Sequence, residues 1–257
     1  MSTGPINTES SGLGPQRLNG EGFPPERKRP VPPMLNVPPI MTAFIGLLVL
    51  IHGIREYFLS PEQNLHSIIA FAFIPARYAA NALELPYPLA DWWSPITYAL
   101  LHGDWGHVAM NAIWMLAFGA IVARRIGPIR FILFGALTAI GGAALHYVFH
   151  MEDLVPVIGA SAIVSGFMGA AARFAFGRFG QGVDMTKVRM LSLVETFTNR
   201  QVVTFLALWF GLNLLFGSGI IDIGGEGQGI AWQAHIGGFV TGLFGFSFFD
   251  RHKFPQG

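Results

Sequence analysis

The sequence has no cysteine and very little charge. Without a thiol there can be no disulfide and no thiolate nucleophile, and no cysteine marks the redox compartment. Asp, Glu, Lys and Arg make up 12% of the 257 residues, where a soluble domain carries about 25%. The formal net charge is +1 and no basic stripe runs along the chain, so no nucleic-acid partner is expected. What the chain has in abundance is apolar surface, with 52% hydrophobic residues and a mean hydropathy of +0.48. That composition points to one all-α, polytopic membrane bundle in contact with membrane lipid.

Residues 1–36 read differently. They hold Gly, Pro and Ser with the basic cluster Arg27-Lys28-Arg29 and no apolar periodicity, the composition of a disordered tail. The first apolar run starts late, near Val37, and lacks a small-residue cleavage pattern, so no removable signal peptide is expected. From there to residue 250 the sequence offers six candidate spans, 37–58, 106–126, 128–148, 157–176, 201–217 and 230–249. Each approaches the ~20 apolar residues a helix needs to satisfy its amides inside hydrocarbon. The fifth is short, and the second ends on Arg124 and Arg125, which can snorkel.

Lys and Arg orient the bundle. With the N-terminus in the cytoplasm, 14 of the 16 basic residues fall on inner segments, leaving Arg55 and Arg77 outside. The outer loops carry acids instead, among them Glu62, Asp91, Asp104, Glu152 and Asp153. Both termini, including the short tail 251–257, are therefore expected inside, in a bacterial inner (cell) membrane. The first outer loop, 59–105, is too long for a plain connection. Its apolar and aromatic stretches fit either short amphipathic helices in the interface or a folded cap over the bundle.

In this topology the second, fourth and sixth helices all enter from the outer face. They place His107 and Asn111, Ser161 and His235 in one layer, roughly 5–12 Å below the outer boundary at 1.5 Å per residue. Polar side chains are costly inside a membrane and normally face the bundle interior or a watery cavity. Each also has a structural reading. A serine in a membrane helix most often bonds the carbonyl four residues back, and a lone histidine is more often a structural hydrogen-bonder than a catalyst. Gly159, Gly166, Gly169 and the pair Gly238 and Gly242 are close-packing positions. Those glycines would also bring the fourth and sixth helices near enough for Ser161 to reach His235.

The chemical reading of the layer is nucleophilic catalysis. A serine hydroxyl needs a base to accept its proton, and a neutral imidazole suits that work near pH 7. No Asp or Glu shares the layer, so Ser161 and His235 would form a dyad without an orienting acid. The Asn111 amide, a His107 N–H and the Ser161 backbone N–H could serve as oxyanion donors. A divalent metal on His102, His107 and His235 ranks lower. The zincin pattern wants Glu after the first histidine and a second histidine at i+4, where this sequence has Val108 and Asn111. A transporter would show broken helices, repeats or buried acids, and none stands out.

Three motifs, HGDWGHVAMN at 102–111, GASA at 159–162 and AHIGGFVTG at 234–242, occur on the second, fourth and sixth spans. Together the motifs resemble the rhomboid family of intramembrane serine proteases over about residues 37–250. The resemblance implies Ser161 as nucleophile and His235 as base, using no cofactor and no metal. It implies His107 and Asn111 as oxyanion donors and His102 as a structural hydrogen-bonder, with Gly159, Gly238 and Gly242 supporting the site. The implied substrates are transmembrane segments of other proteins, cut near the membrane boundary. The fifth helix and the glycine-rich stretch 218–229 would correspond to the family's gate and cap. Three positions depart from the family's usual pattern. Ala162 follows the serine in place of glycine, Ser165 stands where an aromatic often packs on the histidine, and Trp93 is followed by Ser94 rather than arginine. The competing reading is a catalytically inactive rhomboid-like protein that binds and escorts membrane helices.

Overall fold

The computed structural model describes Met1, Gly4 and residues 37–79, 85–176, 184–217 and 231–250, with side chains through 215 in the third of these longer segments. The tail 1–36 apart from Met1 and Gly4, the stretch 218–229 and the C-terminal tail 251–257 lie outside the described residues. The chain divides into two units, Met1–Asn36 and Val37–Gly257, and all the described helices belong to the second.

Prolines start three of the helices at positions where the missing N–H costs nothing. α1 (Pro39–Tyr57) and α2 (Pro61–Phe71) both open this way. In α2 a capping box between Ser60 and Gln63 satisfies the first amides as well. A 3₁₀ turn (Pro75–Tyr78) leads to α3 (Ala90–Thr97), and a second (Tyr98–Leu100) follows it directly. α4 (Trp105–Trp114) is capped by Asp104, whose carboxylate accepts the His107 N–H at 2.8 Å. It runs through a π-helical segment (Met115–Gly119) into α5 (Ala120–Ile126). Gly127, at φ 81°, ends that rod, and Pro128 starts α6 (Pro128–Phe149). The remaining helices are α7 (Ser161–Ala172), α8 (Leu193–Thr198), α9 (Arg200–Gly217) and α10 (Trp232–Phe249). Among the described residues there is no strand beyond one isolated antiparallel bridge between Phe73 and Val157. The all-helical fold class read from the sequence holds.

Among the described residues, three helices, Pro39–Tyr57, Trp105–Ile126 and Pro128–Phe149, are long and apolar enough to cross a membrane. They present large apolar side chains outward, such as Leu50 on α1 and Ile132 and Leu133 on α6. α7 differs from the expected span 157–176. It begins only at Ser161, because Gly159 takes φ 119° and the residues before it run extended to the Phe73 bridge. α7 is correspondingly short, and all its residues after Ser161 are buried.

The centre of the membrane domain is the packing of α10 against both α7 and α6. A Cβ on Gly238 would strike the Ala162 carbonyl, and one on Gly242 the Gly166 carbonyl. Backbone therefore lies against backbone, as small-residue interfaces in membranes require. Beneath this contact Phe134, Phe167, Phe174 and Phe246 fill the core. At the end of α10 remote from Ser161, Arg125 and Asp250 form a bidentate pair at 2.7 and 3.0 Å. The snorkelling expected of Arg125 does not occur. Both side chains are sealed from solvent, with the guanidinium donating to the Met185 and Val188 carbonyls and lying 4.3 Å from the Phe174 ring centroid.

The long first loop is built from α2, α3 and the two 3₁₀ turns, with α3 packed on α6. The loop's one basic residue, Arg77, and Arg55 near the end of α1 are structural pins. Arg77 donates to the carbonyls of Ile69, Pro86 and Tyr87, and Arg55 to the Asn64 side chain and the His102 carbonyl.

Candidate active site

Ser161 is the first residue of α7 and sits behind a glycine in a conformation that L side chains rarely adopt. The loop elements hold that turn from outside. Phe73 and Val157 exchange both backbone hydrogen bonds, at 3.1 and 2.8 Å, and the Gly159 N–H donates to the Tyr98 carbonyl at 3.0 Å. The Ala160 N–H donates to His102 Nε2 at 3.4 Å. His102 is wholly buried, and burial first, then His107 beside it, pulls its pKa down to about 3. It stays neutral and acts as an acceptor for the turn before α7.

His235, in the first turn of α10, places Nε2 at 2.8 Å from Ser161 Oγ. The sequence brought these two residues to one layer, and the close approach of α7 and α10 joins them. The ring's other nitrogen, Nδ1, lies 2.6 Å from Asn213 Oδ1 on α9. The reading of the sequence passed over Asn213. Its signal was legible, as the one amide side chain in the apolar run VTFLALWFGLNLLF of the fifth span.

His107 stands on the other side of the serine. Its Nδ1 takes a long contact, 3.5 Å, from the Gly103 N–H, and the ring's other nitrogen is Nε2. That nitrogen points into the space beside Gly159. A Cβ there would come within 2.6 Å of His107 Nε2 and 3.8 Å of Ser161 Oγ. Asn111 is buried one turn further along α4 and donates one amide hydrogen to the His107 carbonyl at 3.0 Å. The backbone N–H groups of residues 161–163 belong to the first turn of α7, where helix geometry supplies no acceptor. The helix N-terminus favours negative charge at the same place.

Two of the positions that depart from the resemblance, Ala162 and Ser165, are buried. Ala162 is fully buried, with its methyl near Gly142 of α6, where a Cβ would come within 2.6 Å of it. Ser165 is buried one turn along α7 from Ser161. One turn along α10 from His235, Phe239 packs with Trp209 and Phe210 of α9, whose rings lie 5.0 and 5.9 Å from its own. Among the described residues no three His, Asp or Glu side chains cluster as a metal site requires.

Comparison with known proteins places this arrangement. The Rhomboid domain family matches residues 89–251, a stretch that contains every residue of the site. Rhomboid protease GluP of Bacillus subtilis is 26% identical over 201 residues, 78% of this chain and 33% of that protein. RHOMBOID-like protein 4 of Arabidopsis thaliana is 28% identical over 155 residues, 60% of this chain and 33% of that protein. The chain thus spans a third of the length of each of these relatives.

Proposed function

The chain belongs to the rhomboid family of integral membrane proteins, and from that premise we propose that it is an intramembrane serine endopeptidase with Ser161 as nucleophile and His235 as general base. The observation that carries the reading is the 2.8 Å contact between Ser161 Oγ and His235 Nε2. The hydroxyl proton passes to Nε2 as Oγ bonds to the scissile carbonyl carbon. The oxygen of that carbonyl becomes an oxyanion beside the first-turn N–H groups of α7, with His107 Nε2–H and Asn111 at its other side. His235 then returns the proton to the leaving nitrogen as the C–N bond breaks. A water, deprotonated by the same nitrogen, releases the acyl group and restores Ser161.

The substrates proposed are transmembrane segments of other membrane proteins, unwound near the outer boundary, with no cofactor. The orientation proposed keeps both termini on the cytoplasmic side of a bacterial inner (cell) membrane, with residues 1–36 and 251–257 as tails of the membrane domain 37–250. The distribution of Lys and Arg supports it. So does the structural duty of Arg55 and Arg77, the two basic residues on the outer side.

A fluorophosphonate probe with the detergent-purified protein tests the assignment. Wild type takes the label and cleaves a transmembrane reporter, Ser161→Ala and His235→Ala do neither, and Ser165→Ala does both. A protein that takes no label yet retains transmembrane helices in pull-down is the inactive, helix-escorting relative instead.

A further inference from the structure

The Ser161–His235 contact has direction only if the histidine carries its proton on the right nitrogen, and α9 decides which nitrogen that is. The Asn213 amide is anchored at both ends. Its Nδ2 lies 2.8 Å from the Trp209 carbonyl oxygen, which can only accept, so the NH₂ end must face Trp209. Oδ1 then faces His235 Nδ1 at 2.6 Å, and an amide oxygen also only accepts. Turning the amide over would set its oxygen against the Trp209 carbonyl oxygen and lose that bond, so the Trp209 carbonyl fixes which end of the amide meets Nδ1. His235 Nδ1 therefore holds the ring proton, and the lone pair sits on Nε2, toward Ser161. The donors run one way along the chain, from Ser161 O–H to His235, from His235 to Asn213, and from Asn213 to the Trp209 carbonyl.

We propose that Asn213 is a positioning residue of this site, holding His235 in the tautomer that makes Nε2 the base and tying that tautomer to the seat of α9. The inference rests on the Ser–His reading above. Asn213 is 8% exposed, so water does not readily replace it. The contact of α9 with α10 has two rungs one helical turn apart, Asn213–His235 and Trp209–Phe239. Packing belongs to the second rung and tautomer to the first, and substitutions separate them. An amide orients the imidazole but brings no charge, whereas the acid of a full triad also stabilises the imidazolium. Among the described residues, His107 on α4 also interacts electrostatically with His235.

The test measures the rate of fluorophosphonate labelling against pH, with thermal unfolding beside it, on the full chain in detergent. Asn213→Leu keeps the size of the side chain and removes the acceptor. Its labelling at neutral pH is expected to fall on the order of 10- to 100-fold, the scale of losing a correctly held general base. Asn213→Asp keeps an acceptor, labels within about tenfold of wild type, and moves the rising limb of the pH profile upward, because a carboxylate beside Nδ1–H stabilises the imidazolium. Trp209→Phe lowers the unfolding midpoint and leaves the pH profile in place. Wild-type labelling by Asn213→Leu, with Ser161→Ala unlabelled, overturns the inference and leaves the protease reading standing. If Asn213→Leu does not fold, an unmoved pH profile in Asn213→Asp overturns it equally. No label on wild type removes the protease reading, and this inference with it.

Discussion

Gly159 does two jobs that no other residue can do together. At φ 119° it turns the extended segment that pairs with Phe73 into the first turn of α7. A side chain there also costs about 1–3 kcal/mol in backbone strain. Its bare Cα further leaves room for His107, since a Cβ would lie 2.6 Å from His107 Nε2. Gly159→Ala is therefore expected to displace the His107 ring and cut the rate of Ser161 labelling at least ~10-fold, the scale of losing one oxyanion donor being 10²–10³. A labelling rate equal to wild type would mean that His107 takes no part in the site. At this scale the sequence was most readable, because a polar residue in an apolar span stands out against its neighbours. Ser161, His235, His107 and Asn111 were picked out that way, and the structure brings Ser161 and His235 into contact. Asn213 carried the same signal but matched no motif, and only the placement of α9 beside α10 reveals its partner.

At the scale of elements, the Ser161–His235 distance depends on how closely two helices approach. Gly238 and Gly242 put the α10 backbone against carbonyls of α7, so one added side chain must push the helices apart. A shift of ~1 Å between reacting groups can cost about 10²-fold in rate. Gly238→Val is expected to lose labelling by that order and to lower the unfolding midpoint. Gly46→Ala on α1, where a Cβ meets nothing within 4 Å, leaves both unchanged. Equal labelling by Gly238→Val and wild type would show that the approach of α7 and α10 does not set the dyad. Hydropathy located the long helices to within a residue or two because lipid-facing spans have a length to meet. It misplaced the start of α7, since an apolar segment sealed inside protein reads the same whether helical or extended. VPVIG looks like membrane helix, and the partner that makes it extended, Phe73, lies more than 80 residues away.

For the whole molecule, the two ends of α10 serve opposite needs. The end near His235 meets α7 and α9 through polar contacts that a reaction can use, while the other end is clamped by the sealed Arg125–Asp250 pair. Charge counting placed Arg125 at a span terminus correctly but gave it to the solvent. Its partner is 125 positions along the chain, and no local pattern announces that pairing. Removing one member of a buried pair strands the other without compensation, at a cost of about 3–5 kcal/mol. Asp250→Ala is thus expected to lower the unfolding midpoint steeply. Replacing both members with apolar residues, Arg125→Met with Asp250→Leu, is expected to recover most of that loss. The pair lies 15 residues along α10 from His235, about 22 Å at 1.5 Å per residue, so both variants should label at the wild-type rate at temperatures where they stay folded. Slow labelling by a fully folded double variant would mean that the clamp also sets the register of His235 against Ser161, so that the far end of α10 helps to set the geometry of the proposed site.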